Sequence, residues 1–365
     1  MFMREDYPLK QTLCRRAAHK NVPVNGAFEL TPRCSLDCKM CYIRMTPEQM
    51  RPIGRERSAE EWIALAREAR DMGMTFLLLT GGEPFLRKDI FPILEALNKM
   101  GIIVDINSNG TLIDEAVADR LLSCPPSKIN ITLYGASRES YGRLCGDPSA
   151  FDRVVRAIQL LKERNILVCL NTTLTPENAH EMEDILAFAK NNDLVLRPTS
   201  YIIPPSRRGS IEKAYRLPPK EAGQLTYRIQ LLNQGAEAML LRAENQLLTE
   251  DCYYESSQGI SCLAGRSQFW ITWDGKMLPC GMLPGISASP EELGFAEAWR
   301  VINDTVRNIP GCKECNGCNL RSLCPSCAAS RYCENGDMTK HCDYLCQFSE
   351  AYRDELAKLA EAHRS

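Results

Sequence analysis

Apolar and polar positions alternate with two different periods along the first 200 residues. Short apolar runs fall at 26–31 (GAFELT), 75–80 (TFLLLT), 102–107 (IIVDIN), 128–134 (KINITLY), 166–174 (ILVCLNTTL) and 194–200 (LVLRPTS). Their length and β-branched content are those of strands. Segments of helical period lie between them, at 58–73, 151–165 and 175–192. The first starts at Ser58, has Glu61 placed for a capping box, and stops at Gly73. A strand–helix unit repeating every 30 residues or so implies parallel strands joined by crossover helices. The expected fold is α/β, a partial (β/α)6 TIM-like barrel, because a closed eight-unit barrel takes about 250 residues.

Prolines and a glycine in RPTSYIIPPSRRGS (197–210) end this alternation. The expected division is a 1–25 N-terminal extension, a 26–215 barrel, a 216–250 connecting helical region, a 251–347 Cys-rich domain and a 348–365 closing helix. Past Asp251 the composition turns to Cys, Gly and Pro with few long apolar runs. Little core is expected there, so bound metal would supply the folding energy.

Charge changes this picture little. With 44 basic and 46 acidic residues, there is no electrostatic case for nucleic acid or an anionic membrane. The apolar run around FLLLT is far short of the ~20 residues of a membrane span. The N-terminus carries early acids and no continuous apolar stretch, unlike a signal peptide. A cytoplasmic location is expected. Cysteine changes the picture a great deal: of 18, eleven fall between Cys252 and Cys346. A long chain without an export signal is a poor candidate for a disulfide scaffold. Cys14, Cys124, Cys145 and Cys169 stand alone and read as small buried hydrophobes. Tandem C-x2-C pairs do not.

Two motifs carry chemistry in the barrel. Cys34, Cys38 and Cys41 follow the first strand as C-x3-C-x2-C, at the strand end where parallel α/β folds build their sites. Three thiolates on one loop can hold three irons of a cubane and leave one coordination position open, as in a working metal site. Spacing alone leaves a zinc site completed from elsewhere, or chance, as alternatives. None of the four histidines (19, 180, 341, 363) is near in sequence. TGGEP (80–84) ends the second strand, with two glycines that permit close backbone approach and the carboxylate of Glu83.

Together these motifs resemble the radical S-adenosylmethionine (SAM) superfamily over roughly residues 26–200. The resemblance implies a [4Fe–4S] cluster on Cys34, Cys38 and Cys41, with SAM on the fourth iron, cleaved reductively to a 5′-deoxyadenosyl radical. Gly81, Gly82 and Glu83 match the segment that holds the methionine amine. The family's aromatic before the third cysteine is here Met40, with Tyr42 just after it. Thr132, Arg143 and Asn171 match positions that contact the ribose or carboxylate of SAM, and the NSNG loop (107–110) faces the same mouth. Turn preference and surface charge explain these last residues equally well.

The later cysteines read Cys262-x12-Gly275-x4-Cys280, then Cys315-x2-Cys318-x5-Cys324-x2-Cys327, then Cys342 and Cys346. They resemble the SPASM domain, an appendage of radical SAM enzymes that carries two auxiliary iron–sulfur clusters. FWITWDGKMLPC (269–280) resembles its hairpin and DYLC (343–346) its last-cysteine segment. The likeness assigns Cys262, Cys280 and Cys327 to one auxiliary [4Fe–4S] cluster. It assigns Cys315, Cys318, Cys324 and Cys346, in preference to Cys342, to the other. Cys324 and Cys327 stand one residue closer than is usual in the family. Cys252, Cys312 and Cys333 are spare, and the first cluster's fourth ligand is unassigned. On spacing alone, structural zinc fits as well.

SPASM-bearing enzymes mostly modify peptides, so the resemblance implies a peptide or protein substrate undergoing thioether or C–C crosslinking or epimerisation. Only 33 residues precede Cys34, too few for the usual leader-binding domain, so a separate recognition protein or direct docking is expected. A reductant such as ferredoxin or flavodoxin would supply the electron. Alternatives are haem-type precursor oxidation, sulfatase maturation, or a non-enzymatic iron–sulfur or zinc scaffold. The catalytic acid–base or relay residue is not identifiable from the sequence.

Overall fold

A computed structural model describes residues 8–205, 215–245, 259–260 and 262–364. Six parallel strands are β1 (Asn25–Glu29), β2 (Phe76–Thr80), β3 (Ile103–Ser108), β4 (Lys128–Thr132), β5 (Val168–Thr173) and β6 (Val195–Thr199). They lie side by side in chain order, each paired with the next. The expected partial barrel is the fold observed.

The period-2 alternation sets what each face of this sheet meets. Phe28, Leu77, Leu79, Val104, Ile106, Ile129, Ile131, Leu170 and Leu196 are buried in the main core. The alternate positions include Asp105, Asn107, Asn130, Thr132, Arg197 and Thr199, and these line cavities on the concave face. A closed barrel fills its lumen with branched apolar side chains; this lumen is open and mixes polar side chains with apolar ones such as Leu78, Phe269 and Met282. The helix Ala59–Asp71 has the expected capping box, with Ser58 and Glu61 satisfying each other's backbone N–H. Its Trp62 and Phe28 rings pack at 4.9 Å. The 175–192 segment begins as a turn and a short 3-10 stretch, and becomes α-helical only at Met182–Asn191.

Two more strands extend the sheet beyond β1. β7 (Gln268–Ile271) pairs parallel with β1, and β8 (Met277–Leu278) pairs antiparallel with β7. The hairpin between them turns at Gly275, whose φ of +89° and contact with Arg57 leave no place for a Cβ. The glycine of the C-x12-G-x4-C spacing is thereby explained.

The expectation that residues past Asp251 bury little core is corrected here. The helix Phe295–Arg307 inserts Phe295, Ala298, Trp299 and Ile302 into the main core, and Phe295 packs edge-on to Phe269 at 5.1 Å. Its apolar residues recur at helical period, without a long run to mark them. The closing helix starts earlier than expected, at Asp343, and runs to Arg364, so Cys346 lies in its first turn. It packs on Pro219–Asn245, a helix broken at Gly235. Met239, Leu323, Tyr352 and Leu356 form a small separate core there.

Candidate active site

The loop after β1 is held on two sides. Along one side runs the backbone after β2: Gly82 N donates to Thr31 O at 2.7 Å, and Glu83 N to Arg33 O at 2.8 Å. This approach is why both residues before Glu83 are glycines. A Cβ on Gly81 would lie 2.4 Å from Thr31 O, and one on Gly82 2.1 Å from Arg33 O. On the other side is the C-terminal end of the helix Arg138–Cys145. Its carbonyls at Leu144 and Cys145 accept from Lys39 N and Asp37 N at 3.0 and 3.1 Å.

All three loop cysteines line a cavity of about 330 Å³, together with Met40 and Tyr42 from the same loop. The ends of β2 to β6 contribute Gly81, Gly82, Asn107, Thr132, Thr173 and Thr199. Leu36 N donates to Cys34 Sγ at 3.5 Å, and Arg44 N to Cys41 Sγ at 3.3 Å. Asn109 Nδ2 reaches Cys34 Sγ at 3.4 Å and Ser35 Oγ at 3.0 Å. Cys38 Sγ has the Cys145 thiol and the Tyr134 hydroxyl as hydrogen-bond partners.

Glu83 does not face the cavity. It is fully buried behind the wall. Its carboxylate accepts from Asn109 N at 2.7 Å, Ser108 Oγ at 2.9 Å and Phe85 N at 3.1 Å. Burial raises its pKa to about 7 against the pull of those hydrogen bonds. The carboxylate ties the end of β2 to the end of β3, and through Asn109 to the cluster loop. Arg143 and Asn171 are also absent from the cavity wall. Arg143 pairs with Glu139 and, at 3.4 Å, with Glu177. Asn171 sits opposite Thr132 in the β4–β5 pairing.

Thr173, Thr199, Tyr134, Tyr201 and Met282 line the cavity and were not singled out from the sequence. The first two extend a pattern legible there, since a threonine stands at or next to the end of β2, β4, β5 and β6. Met282 had no such signal.

The donor set suits the cofactor that the loop implies. Burial, with Glu83, Cys38 and Cys41 nearby, raises the Cys34 pKa to about 12. Such a crowd of buried thiols ionises together only with a cationic centre among them. The hydroxyls and amides around it suit a ligand bearing sugar and amino-acid groups.

The C-terminal cysteines gather in two groups. Cys262, Cys280 and Cys327 are neighbours, with Cys333 also beside Cys280. Burial pushes the Cys280 thiol up to about 11. Cys333 donates to Met282 O at 3.1 Å. In the second group Cys324 neighbours Cys315, Cys342 and Cys346, with Cys318 beside Cys346 and Cys312 beside Cys315. Both late cysteines thus belong to the second group. Cys252 lies outside the described residues. Among the described residues no three His, Cys, Asp or Glu side chains converge closely enough to share a single metal ion.

Residues 28–189 match the family described as the Radical SAM superfamily. An AdoMet-dependent heme synthase of Methanosarcina barkeri is 25% identical over 346 residues, which is 88% of this chain and 95% of that protein. A PqqA peptide cyclase of Granulibacter bethesdensis is 25% identical over 76% of this chain and 74% of its own. Among solved structures, SuiB of Streptococcus suis bound to S-adenosylmethionine matches at TM-score 0.65 and 16% identity, covering 95% of this chain and 82% of that one. Native anSMEcpe with bound AdoMet matches at TM-score 0.69 and 18% identity, covering 93% and 100%. Residues 28–189 therefore match a radical SAM domain, and SAM with a [4Fe–4S] cluster is the cofactor set that this match supports.

Proposed function

We propose that this radical SAM enzyme removes a hydrogen atom from a peptide or protein substrate held in the barrel lumen, and that an electron leaves towards the first C-terminal cysteine group. One observation carries the reading. Met282 lines both the upper cavity with Cys34, Cys38 and Cys41 and a lower one with Cys262 and Cys280, so one residue borders the two. Bound SAM and its cluster supply the 5′-deoxyadenosyl radical. The chain's own residues hold the cofactors and keep water out: Cys34, Cys38 and Cys41 ligate, while Thr132, Thr173 and Thr199 offer hydroxyls to the nucleoside side.

In this reading Cys262, Cys280 and Cys327 hold one auxiliary cluster, with Cys333 or Cys252 as a fourth thiolate. Cys315, Cys318, Cys324 and one of Cys342 or Cys346 hold the other. Redox-active iron fits a reaction that must dispose of an electron, whereas zinc has no redox chemistry.

Similarity to a PqqA peptide cyclase supports the peptide reading, as does likeness of fold to SuiB bound to its precursor peptide SuiA and to anSMEcpe bound to the Cp18Cys peptide. A second reading, oxidation of a small carboxylate-bearing molecule such as a tetrapyrrole, is favoured by likeness to heme synthases along nearly their whole length. Deuterated candidates from each class, incubated with reconstituted enzyme, SAM and dithionite, test both. Deuterium in 5′-deoxyadenosine identifies the substrate class, and deuterium from neither class rejects both readings.

A further inference from the structure

We infer that Cys145 is a resolving thiol for Cys38: once the barrel cluster is lost, a peroxide converts the two into a disulfide. That disulfide withholds one of the three cluster ligands until a dithiol reduces it. The inference goes beyond the reading above, since it needs no substrate, and rests only on the assignment of Cys38 as a ligand. In the sequence Cys145 reads as a small buried hydrophobe. The fold places it at the last position of the helix Arg138–Cys145, against the cluster loop.

Three observations meet at this pair. The backbone comes first: Asp37 N donates to Cys145 O at 3.1 Å and Lys39 N to Leu144 O at 3.0 Å. Bonds on both sides of Cys38 therefore hold it alongside Cys145, and a disulfide spans only such short separations. The side chains follow the backbone, since the two sulfurs are hydrogen-bond partners. Access differs between them. Cys38 lines the cavity of about 330 Å³ and Cys145 does not, being 1% exposed. A small oxidant entering by the cavity thus meets Cys38 first, with Cys145 behind it.

The chemistry balances with hydrogen peroxide as the oxidant. The Cys38 thiolate attacks one peroxide oxygen, the O–O bond breaks, and a sulfenic acid and hydroxide form. The Cys145 sulfur then attacks the sulfenic sulfur, the S–O bond breaks, and water leaves. Two thiols and one peroxide become one disulfide and two waters. An external dithiol reverses the change by thiol–disulfide exchange and is itself oxidised to a disulfide. Without Cys145 the sulfenic acid goes on to a sulfinic acid, which a dithiol does not reduce. A packing role alone would leave this recovery unchanged when Cys145 becomes serine.

The test uses full-length, cluster-reconstituted wild type and Cys145→Ser, each treated with hydrogen peroxide. Part of each sample is blocked with iodoacetamide, digested with trypsin and mapped by tandem mass spectrometry. Wild type yields the peptides 34–39 and 144–153 joined through Cys38 and Cys145. The remainder receives dithiothreitol, iron and sulfide, which return wild type to its starting iron content. Cys145→Ser carries sulfinic acid at Cys38 instead and stays about four irons per chain short, one [4Fe–4S] cluster. Iron content before peroxide is the check on folding; if the variant does not load, the wild-type peptide map alone decides. No joined peptide from wild type overturns the inference. So does Cys38 joined chiefly to Cys34 or Cys41, or full recovery of iron in Cys145→Ser. Failure of the ligand assignment looks different: Cys38→Ser would hold as much iron as wild type before any oxidant is added.

Discussion

Cys38 is the loop sulfur that two other side chains reach, the Cys145 thiol and the Tyr134 hydroxyl. Hydrogen bonds to ligand sulfur stabilise the reduced form of a cluster and raise its potential. Tyr134→Phe is expected to keep its iron and shift the cluster's midpoint to a more negative potential, read by redox titration with electron paramagnetic resonance. An unchanged midpoint would mean that the hydroxyl does not act on the cluster. Glu83 gives a second prediction. Its folded pKa of about 7 lies above the ordinary 4.5, so its contribution to stability is full below pH 4.5 and is lost as pH rises through about 7. The shift corresponds to about 3 kcal/mol. Melting temperature should fall between pH 5 and pH 8, and fall less in Glu83→Gln; parallel profiles would contradict this. The convergence of the three cysteines on one cavity was legible because they stand at fixed spacing on one loop. Glu83 was legible as a residue, but its burial was not. Whether its carboxylate faces ligand or core depends on β3 lying beside β2, which no local pattern encodes.

Elements meet the site through backbone contacts that leave no room for side chains. Gly82→Ala places a Cβ 2.1 Å from Arg33 O and forces the segment after β2 away from the cluster loop. Iron bound per chain should drop at the barrel site, measured after reconstitution, while Gly54→Ala, whose Cβ meets only Asp274 Cβ at an ordinary 3.6 Å, should load like wild type. The helix Phe295–Arg307 lends its Trp299, whose Nε1 donates to Asn21 O at 2.7 Å. Trp299→Ala should cost about 3–5 kcal/mol, as large-to-small core changes do, and speed proteolysis of the C-terminal region. The six barrel strands could be read because each pairs a short apolar run with a following helical one. The seventh could not be placed. QFWI reads as a strand anywhere, and only the sheet edge left open by β1 makes it a parallel neighbour of residues some 240 positions earlier.

On the scale of the whole molecule, the C-terminal region completes the barrel as well as carrying cysteines. Arg216 and Glu334 form a buried ion pair at 2.5 Å, and Tyr201, on the cavity wall, reaches Glu334 at 3.3 Å. The helix that carries Cys333 is thereby fixed to the exit of β6. Cys262 and Cys280 line the lower cavity of the lumen, and Met282 lines both that cavity and the upper one. Reconstituted protein should hold about 12 iron and 12 sulfide per chain, three [4Fe–4S] clusters; about four of each would leave the C-terminal groups without clusters. The central claim is narrower and is tested most directly by one assay, the anaerobic incubation of reconstituted wild type with SAM and dithionite, followed by quantification of 5′-deoxyadenosine. The account predicts its formation, lost at least 100-fold in Cys38→Ser. No 5′-deoxyadenosine from wild type, or equal amounts from the variant, would contradict it.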